Sequence, residues 1–185
     1  PTRRSSDLYA LMRAMPNMLI ASPGDPMEVR ACVRYIINSP SPSYLRLGKA
    51  GEPNFHRSVP DIQPGKWVPI SPQMQNREKA ILTTGGTLEI ASQLMAAGHL
   101  RECVLYTLPL WGMRSKVIQY EQALSYSEVI TVEDHLIDGG FGSWLMESLH
   151  GTGYDLNKIK IKALSEKICG MVGKQATLNR AGGLI

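Results

Sequence analysis

Several features that would define a class of protein are missing from this chain of 185 residues. Cysteine is scarce: Cys32, Cys103 and Cys169 lie far apart and form no CxxC pair, which argues against a disulfide scaffold and a cysteine zinc site. No apolar run reaches the about 18 residues that a membrane-spanning helix needs, and no charged-then-apolar leader opens the chain. We therefore expect a cytoplasmic chain without a structural metal and with no membrane partner.

Clustered charge is also missing. Charged residues make up 19% of the chain, and its net charge of +4 is spread out rather than concentrated in a basic patch. Nucleic-acid-binding domains usually carry such a patch, so we expect no nucleic-acid partner. The sequence has no GK[ST] phosphate loop, no HExxH metal motif and no serine-elbow motif. Hydrophobic residues make up 43%, which is enough to bury a core.

The first residues have an unusual explanation. Pro1 to Leu8 match the translation of the end of a widely used short-read sequencing adapter. We interpret residues 1–7 as translated adapter and leave them out of the fold prediction. The alternative is a basic, serine-rich tail, and a native locus that encodes Pro1 to Asp7 would decide for it.

A strand, a helix and a second strand follow. The apolar run from Met18 to Ala21 predicts a buried strand. Asp25 is typical of a helix N-cap, Pro26 of the first helical position, and Glu28 of the third position after a cap. Ser43 to Leu47 predicts the next strand. This order indicates a parallel crossover unit.

The rest of the chain alternates strands with helices after a break. Residues 48–72 are rich in proline, glycine and serine, which predicts a linker. Strands are then predicted at 79–84, 102–108, 128–132 and 158–161, with helices between them. The last of these alternates lysine and isoleucine, which suits an edge strand. The predicted fold class is α/β.

Two neighbouring stretches after the predicted strand at 128–132 carry chemistry. Glu133 and His135 share one face of an extended chain while Asp134 points to the other, so an acid–base pair and a plain interface or helix-capping cluster are both open. A glycine-rich turn follows and opens the next helix. Its backbone amides either hold a phosphate or only allow close packing. The glycines are Gly139, Gly140 and Gly142.

Two cations mark the end of the predicted strand at 43–47. Arg46 and Lys49 lie at its carboxyl end, which is where open parallel sheets usually bind ligands. Such a pair is suited to a phosphorylated substrate, and solvated surface charge is the alternative.

Three stretches in order resemble the C-terminal half of transketolase and its relatives. The first, LMRAMPNM at 11–18 with SPGDPMEV at 22–29, is similar to the family pattern LMRAIPNM…APADPVEV. The second is YLRLGK at 44–49, and the third is VEDHLIDGGFGS at 132–143, which is similar to VEEHxxxGGLGS. The resemblance covers about Leu8 to Leu164. Each motif alone is modest, and the three together in order and spacing are specific.

The resemblance implies a thiamine-diphosphate enzyme built of three α/β domains. Residues 8–47 would be the end of its pyrimidine-binding domain, with a partial parallel sheet. After the linker at 48–72, residues 73–185 would be a complete, smaller C-terminal domain with a mostly parallel mixed sheet. The activating glutamate and the metal-binding residues would lie upstream, which implies no catalytic residue in this chain. The complete enzyme would hold thiamine diphosphate and a divalent metal (Mg²⁺ or Ca²⁺), and this chain alone neither.

The resemblance also implies roles for particular residues. In the family, a basic residue just past the YLRLG strand binds the substrate phosphate. This implies Lys49, where arginine is usual, with Arg46 as the second candidate. Lysine keeps the charge but loses the bidentate fork of arginine. The remaining candidates would form an interface or helix-start cluster, namely Glu133, His135, Gly139, Gly140 and Gly142.

The function implied is transfer of a two-carbon ketol unit between sugar phosphates, in the pentose phosphate part of carbohydrate metabolism, with the isolated chain inactive. The implied partner is the missing upstream part, in the same polypeptide or in a separate subunit, within a homodimer or heterotetramer. Relatives with the same domain pair leave two alternatives, the E1 beta component of a 2-oxo acid dehydrogenase and a deoxyxylulose-phosphate synthase. A non-catalytic assembly or regulatory module and a free-standing nucleotide binder are further alternatives.

Overall fold

Helices and strands alternate along the part of the chain that the computed structural model describes, residues 6–48, 51–70 and 77–185. Within those residues, no helix combines the length and the apolar character needed to cross a membrane. The strands are β1 (Leu19–Ala21), β2 (Ser43–Leu45), β3 (Val68–Pro69), β4 (Lys79–Thr83), β5 (Cys103–Thr107), β6 (Leu110–Gly112), β7 (Glu128–Leu136) and β8 (Ile159–Leu164). The helices are α1 (Ser6–Arg13), α2 (Pro26–Asn38), α3 (Thr87–Ala96), α4 (Gln119–Leu124), α5 (Phe141–Leu149) and α6 (Gln175–Ala181).

The first sheet has three strands in the order β2-β1-β6. β1 and β2 are parallel, with Leu19 opposite Ser43, as the crossover prediction requires. β6 pairs with the other side of β1 in the antiparallel direction, with Leu19 opposite Gly112. β6 was not predicted from the sequence, and it comes from the stretch assigned to the C-terminal domain. The first sheet is therefore completed by a strand from much later in the chain.

Helix α2 begins as its sequence predicts. Asp25 is the N-cap, its Oδ1 accepts a hydrogen bond from the amide of Glu28 at 2.8 Å, and Pro26 occupies the first turn. The Glu28 carboxylate turns back and accepts from the amide of Gly24 at 2.6 Å. These two hydrogen bonds fix the backbone where the helix begins.

The second sheet has five strands in the order β3-β5-β4-β7-β8. β5, β4, β7 and β8 are parallel, while β3 runs antiparallel to β5. β8, with its alternating lysine and isoleucine, lies at an edge of this order, as predicted. β7 continues past its predicted end at Val132 to Leu136, with an irregularity in its pairing between these two residues. The acidic residues that follow Val132 thus belong to the strand itself.

Aromatic side chains pack between the two sheets. The ring of Trp111, from β6, lies 5.4 Å from Tyr9 of α1, 5.1 Å from Phe141 and 5.2 Å from Trp144 of α5. All four side chains are fully buried. Large aromatic side chains dominate core energetics because each buries a large apolar area. The core is therefore continuous from the first sheet into the second.

Candidate functional site between the two sheets

A cleft of about 1040 Å³ opens where the two sheets meet. It lies beyond the carboxyl end of β2, beside the turn that opens α3 and against α6. This is the position at which open α/β sheets commonly bind ligands. Its polar lining includes Ser22, Arg46, Glu52, Glu89, Asp134 and Asn179.

Arg46 and Asp134 form an ion pair inside this cleft. Arg46 follows β2 directly, and Asp134 lies in β7 of the second sheet. The two guanidinium NH groups of Arg46 donate to Asp134 Oδ1 at 3.2 Å and to Oδ2 at 2.9 Å. Only 16% and 13% of the two side chains are exposed. Burial by itself would raise the pKa of Asp134, but the adjacent guanidinium outweighs it and holds that pKa below its ordinary value.

Tyr9 supports the face of the same guanidinium. The Arg46 Cζ lies 4.7 Å from the centre of the Tyr9 ring, which is a cation–π distance. The Tyr9 hydroxyl is hydrogen-bonded to the hydroxyl of Ser22, and burial raises the pKa of Tyr9. The rings of Tyr9 and His135 are perpendicular to each other, with their centres 5.1 Å apart. Arg46 is thus held on one edge by Asp134 and on one face by Tyr9.

Glu133 occupies the amides at the start of α5. The amide of Phe141 donates to Glu133 Oε2 at 2.6 Å, and the amide of Gly142 donates to the same oxygen at 3.1 Å. His135 Nδ1 lies 2.9 Å from Glu133 Oε2, so these two side chains do share a face, while Asp134 points the other way to Arg46. Because an internal carboxylate already fills these amides, the structure argues against a phosphate or nucleotide cradle at the glycine-rich turn.

The glycines of that turn allow the carboxylate to come so close. A Cβ on Gly140 would lie 2.5 Å from Glu133 Oε2, and a Cβ on Gly142 would lie 2.7 Å from Glu133 Oε1. Gly139 adopts a left-handed backbone with φ of +68°. The turn therefore serves close packing between β7 and α5.

A second buried polar cluster was not predicted. Asp25 Oδ2 accepts from the amides of Phe55 and His56 at 2.9 and 2.8 Å and lies 3.0 Å from His56 Nδ1. Glu28 Oε1 lies 3.9 Å from the same ring nitrogen. Burial raises the pKa of Glu28 to about 7. Burial also acts on Asp25, but hydrogen bonds from His56 and from the Glu28 amide lower the pKa of Asp25 to about 2. The helix-cap pattern indicated Asp25 and Glu28, and no sequence signal linked them to His56.

The described residues do not group the ligands that a divalent metal needs. No group of three or more metal-ligating side chains is found among residues 6–48, 51–70 and 77–185. The amides that open α5 hold Glu133, as described above. Lys49, the first candidate for the substrate phosphate, lies outside the described residues.

Curated relatives of the chain are of two kinds. It is 34% identical over 146 residues to 1-deoxy-D-xylulose-5-phosphate synthase of Thermus thermophilus, an alignment that covers 78% of the chain and 22% of that protein. It is 25% identical over 187 residues to an apulose-4-phosphate transketolase subunit of Actinobacillus succinogenes, which covers 99% of the chain and 58% of that protein. The putative transketolase C-terminal section of Methanocaldococcus jannaschii is 27% identical over 188 residues, covering 95% and 54% of the two chains. No family model matches.

Solved structures give the same fold. A split gene transketolase, described as an inactive beta4 tetramer, superposes with a TM-score of 0.73 at 24% identity over 97% of this chain and 56% of that one. A transketolase mutant from Pichia stipitis superposes with a TM-score of 0.66 at 18% identity over 95% of this chain and 24% of that one. The chain thus spans between about a fifth and three fifths of the length of the relatives it matches.

The fold is that of the C-terminal region of transketolase-type α/β enzymes. The chain belongs to the transketolase family and corresponds to the C-terminal part of its members. The mixed α/β class predicted from the sequence is confirmed, with a second sheet that is mostly parallel.

Proposed function

We propose that the chain is the C-terminal part or subunit of a thiamine-diphosphate-dependent, transketolase-like enzyme. The enzyme transfers a two-carbon ketol unit between sugar phosphates, in carbohydrate metabolism of the pentose phosphate type. The observation that carries the proposal is the placement of Arg46 at the carboxyl end of β2, where this residue lines the cleft. Alignment of 99% of the chain with a transketolase subunit supports it.

Arg46 is the residue of this chain that binds the substrate phosphate. A guanidinium suits this role because its planar N–H groups match phosphate oxygens and its charge persists at every physiological pH. Lys49, three positions further along the sequence, is the other cation proposed for this role, and it lies outside the described residues. Glu133 and His135 have a supporting role, since they fix the start of α5 behind the ion pair.

The cofactor and its Mg²⁺ or Ca²⁺ belong to the rest of the enzyme. Residues 8–47 are the end of its pyrimidine-binding domain, 48–72 the linker and 73–185 the C-terminal domain. The isolated chain is inactive because the groups that activate thiamine diphosphate lie in the upstream part. Exposed apolar side chains support a missing partner surface, since Leu11 of α1 and Ile37 of α2 are 62% and 69% exposed.

The upstream part is a separate subunit or an earlier part of the same polypeptide, and the assembly is a cytoplasmic homodimer or heterotetramer. Two names support a separate chain: one relative is named as a subunit of its transketolase, and one similar structure is a split gene transketolase. An upstream part within one longer polypeptide would give the same active site.

A second candidate function is synthesis of 1-deoxy-D-xylulose-5-phosphate. It is favoured by the 34% identity to the synthase of Thermus thermophilus, which exceeds the 25% identity to the apulose-4-phosphate transketolase subunit. The synthase alignment covers 78% of the chain, less than the 99% aligned with that transketolase subunit. We therefore place ketol transfer first.

Reconstitution tests the two functions against each other. The chain is combined with the upstream subunit of a split transketolase, with thiamine diphosphate and Mg²⁺, and both reactions are assayed. We expect ketol transfer between sugar phosphates in the mixture and none with either part alone. Formation of 1-deoxy-D-xylulose-5-phosphate instead would favour the second candidate. A stable complex without either product would favour an assembly module.

A further inference from the structure

The side chain that fixes Arg46 comes from the other sheet. Asp134 reaches the guanidinium from β7, 88 positions further along the chain, and makes two hydrogen bonds to it at 3.2 and 2.9 Å. Two bonds from one carboxylate to one guanidinium define the plane of that group, which a single contact would not do. Both residues line the cleft, so the plane is fixed at the place where a ligand would enter.

The pair is held tightly on its other sides. Tyr9 lies under the guanidinium at 4.7 Å and is itself completely buried. Asp134 is flanked in β7 by Glu133 and His135, which pack against the start of α5. β7 is paired with β4 and β8 up to Val132 and again with β8 at Leu136, so Asp134 lies between two paired positions of its strand. An arginine at a strand end would otherwise sample many rotamers.

We propose that Asp134 is a positioning residue for substrate recognition: it orients Arg46 toward the phosphate group of the sugar phosphate. The C-terminal domain would then contribute to the substrate site through Asp134, which itself acts only by way of Arg46. This inference rests on the proposed function of Arg46 and adds to it a residue of the second sheet.

A matched ion pair elsewhere in the chain provides a control. Arg13 of α1 binds Glu147 of α5 through two bonds, both of 2.9 Å. It likewise connects helices on either side of the junction, but Glu147 is 47% exposed and neither residue is among the described residues that line the cleft. Glu147→Gln therefore removes a carboxylate from an arginine without touching the proposed site.

The experiment uses the reconstituted enzyme and two acceptors, an aldose phosphate and the same aldose without phosphate. For Asp134→Asn we expect the KM for the phosphorylated acceptor to rise about tenfold, while kcat stays within about twofold. The KM for the unphosphorylated acceptor should not change. Asp134→Glu restores the carboxylate and should recover part of the loss. Glu147→Gln should leave both KM values as they are.

A double mutant tests whether Asp134 acts through Arg46. If it does, Asp134→Asn adds nothing to the KM of an Arg46→Gln enzyme, so the two effects are not additive. Additive effects would overturn the inference. A measurement without turnover uses the chain alone and inorganic phosphate. The Tm of the chain is measured in phosphate and in chloride at equal ionic strength, and the increase in phosphate reports binding. We expect a smaller shift for Asp134→Asn than for Glu147→Gln. Should Asp134→Asn not fold, Asp134→Glu is compared in the same way.

The results for the two variants distinguish the positioning role of Asp134 from the phosphate-binding role of Arg46. If Arg46→Gln leaves the preference for the phosphorylated acceptor unchanged, the proposed role of Arg46 is wrong and the inference fails with it. If Arg46→Gln abolishes that preference and Asp134→Asn lowers only Tm, Asp134 is a structural partner and the proposed function stands alone.

Discussion

At the scale of single residues, two acids at the start of α2 have pKa values that are shifted in opposite directions. Asp25 has a pKa of about 2 because His56 and backbone amides donate to it, although burial opposes this. Glu28 has a pKa of about 7 because it is buried. The pKa of His56 is raised by Asp25 and Glu28 against the effect of burial. All three groups connect residues 55–56 to the start of α2, so their protonation changes the stability of this contact.

The sign of each contribution predicts a pH profile for stability. Asp25 stabilises the fold above about pH 4, its unfolded pKa, and loses this as the pH falls toward 2. Glu28 makes its full contribution to the free energy of unfolding below about pH 4.5. This contribution, on the order of 3 kcal/mol, is lost as the pH rises through 7. The stabilising contribution of His56 also falls as the pH rises above about 6.5, because its pKa is raised in the folded chain. The contribution of the cluster is therefore greatest near pH 4 to 5.

Urea unfolding from pH 3 to 8 checks this profile. In Glu28→Gln, the decline in unfolding free energy between about pH 4.5 and 7 should flatten, since the titrating group is gone. Glu147→Gln is the control, because the pKa of Glu147 is about 2 and its titration lies at acid pH. An unchanged slope in Glu28→Gln would contradict the assignment.

A second residue-scale prediction concerns the glycines behind the ion pair. Gly142→Ala should lower stability by about 1–3 kcal/mol, because the new Cβ would lie 2.6 Å from Thr131 Oγ1 and 2.7 Å from Glu133 Oε1. Gly173→Ala is the matched control, since its nearest neighbour would be 3.7 Å away. The midpoint of thermal unfolding should fall for the first variant and stay within a degree or two for the second. Equal midpoints would mean that α5 can move away from Glu133.

At the scale of elements, β6 connects the two halves of the molecule. It completes the first sheet through β1 and carries Trp111 into the core formed with α1 and α5. Trp111→Ala should cost about 3–5 kcal/mol of unfolding free energy, as large-to-small changes in a core do. Val117→Ala, at a side chain that is 82% exposed, should cost less than about 0.5 kcal/mol. A small effect at Trp111 would mean that β6 contributes little to the junction.

The elements with local signals could be predicted from the sequence. α2 was predicted from its cap, β1 from its apolar run and β8 from its alternation, and each is where it was expected. β6 was missed because three residues, Leu110–Gly112, give no periodicity, and only pairing with a distant strand makes them a strand. Between β5 and β7, where a helix was predicted, the structure has α4 preceded by a 3₁₀ segment at Met113–Ile118 that begins after Gly112.

Only those parts of the candidate site that have a signal within one stretch of sequence could be predicted. Arg46 was found because it follows a strand, and Asp134 was assigned to the opposite face from Glu133 and His135 by alternation along a strand. Their pairing depends on how two sheets meet, which no spacing within one stretch reveals. The cluster around His56 depends equally on a segment folding back onto α2.

At the scale of the whole molecule, apolar side chains remain uncovered on helices of the first half. Leu11 and Ile37 are 62% and 69% exposed in the single chain. We expect the isolated chain to self-associate in sedimentation experiments and to become monodisperse once its upstream partner is bound. Ile37→Lys should reduce self-association and weaken that complex, whereas Val172→Lys, at an 81% exposed side chain of the C-terminal region, should not affect the complex. A chain that sediments as a monomer and forms no complex with the upstream partner would contradict this expectation.

The pairing of β1 with β6 also sets the order in which the chain can be built. β1, at Leu19–Ala21, is synthesised well before its antiparallel neighbour, which ends at Gly112. At about 5–20 residues per second, a ribosome needs on the order of ten seconds to bridge that distance. During this interval β1, β2 and α2 have left the exit tunnel without β6 and without Trp111 to cover them. Nascent chains stalled between β2 and β6 should therefore be substrates for chaperones, and release from them should coincide with the emergence of Gly112.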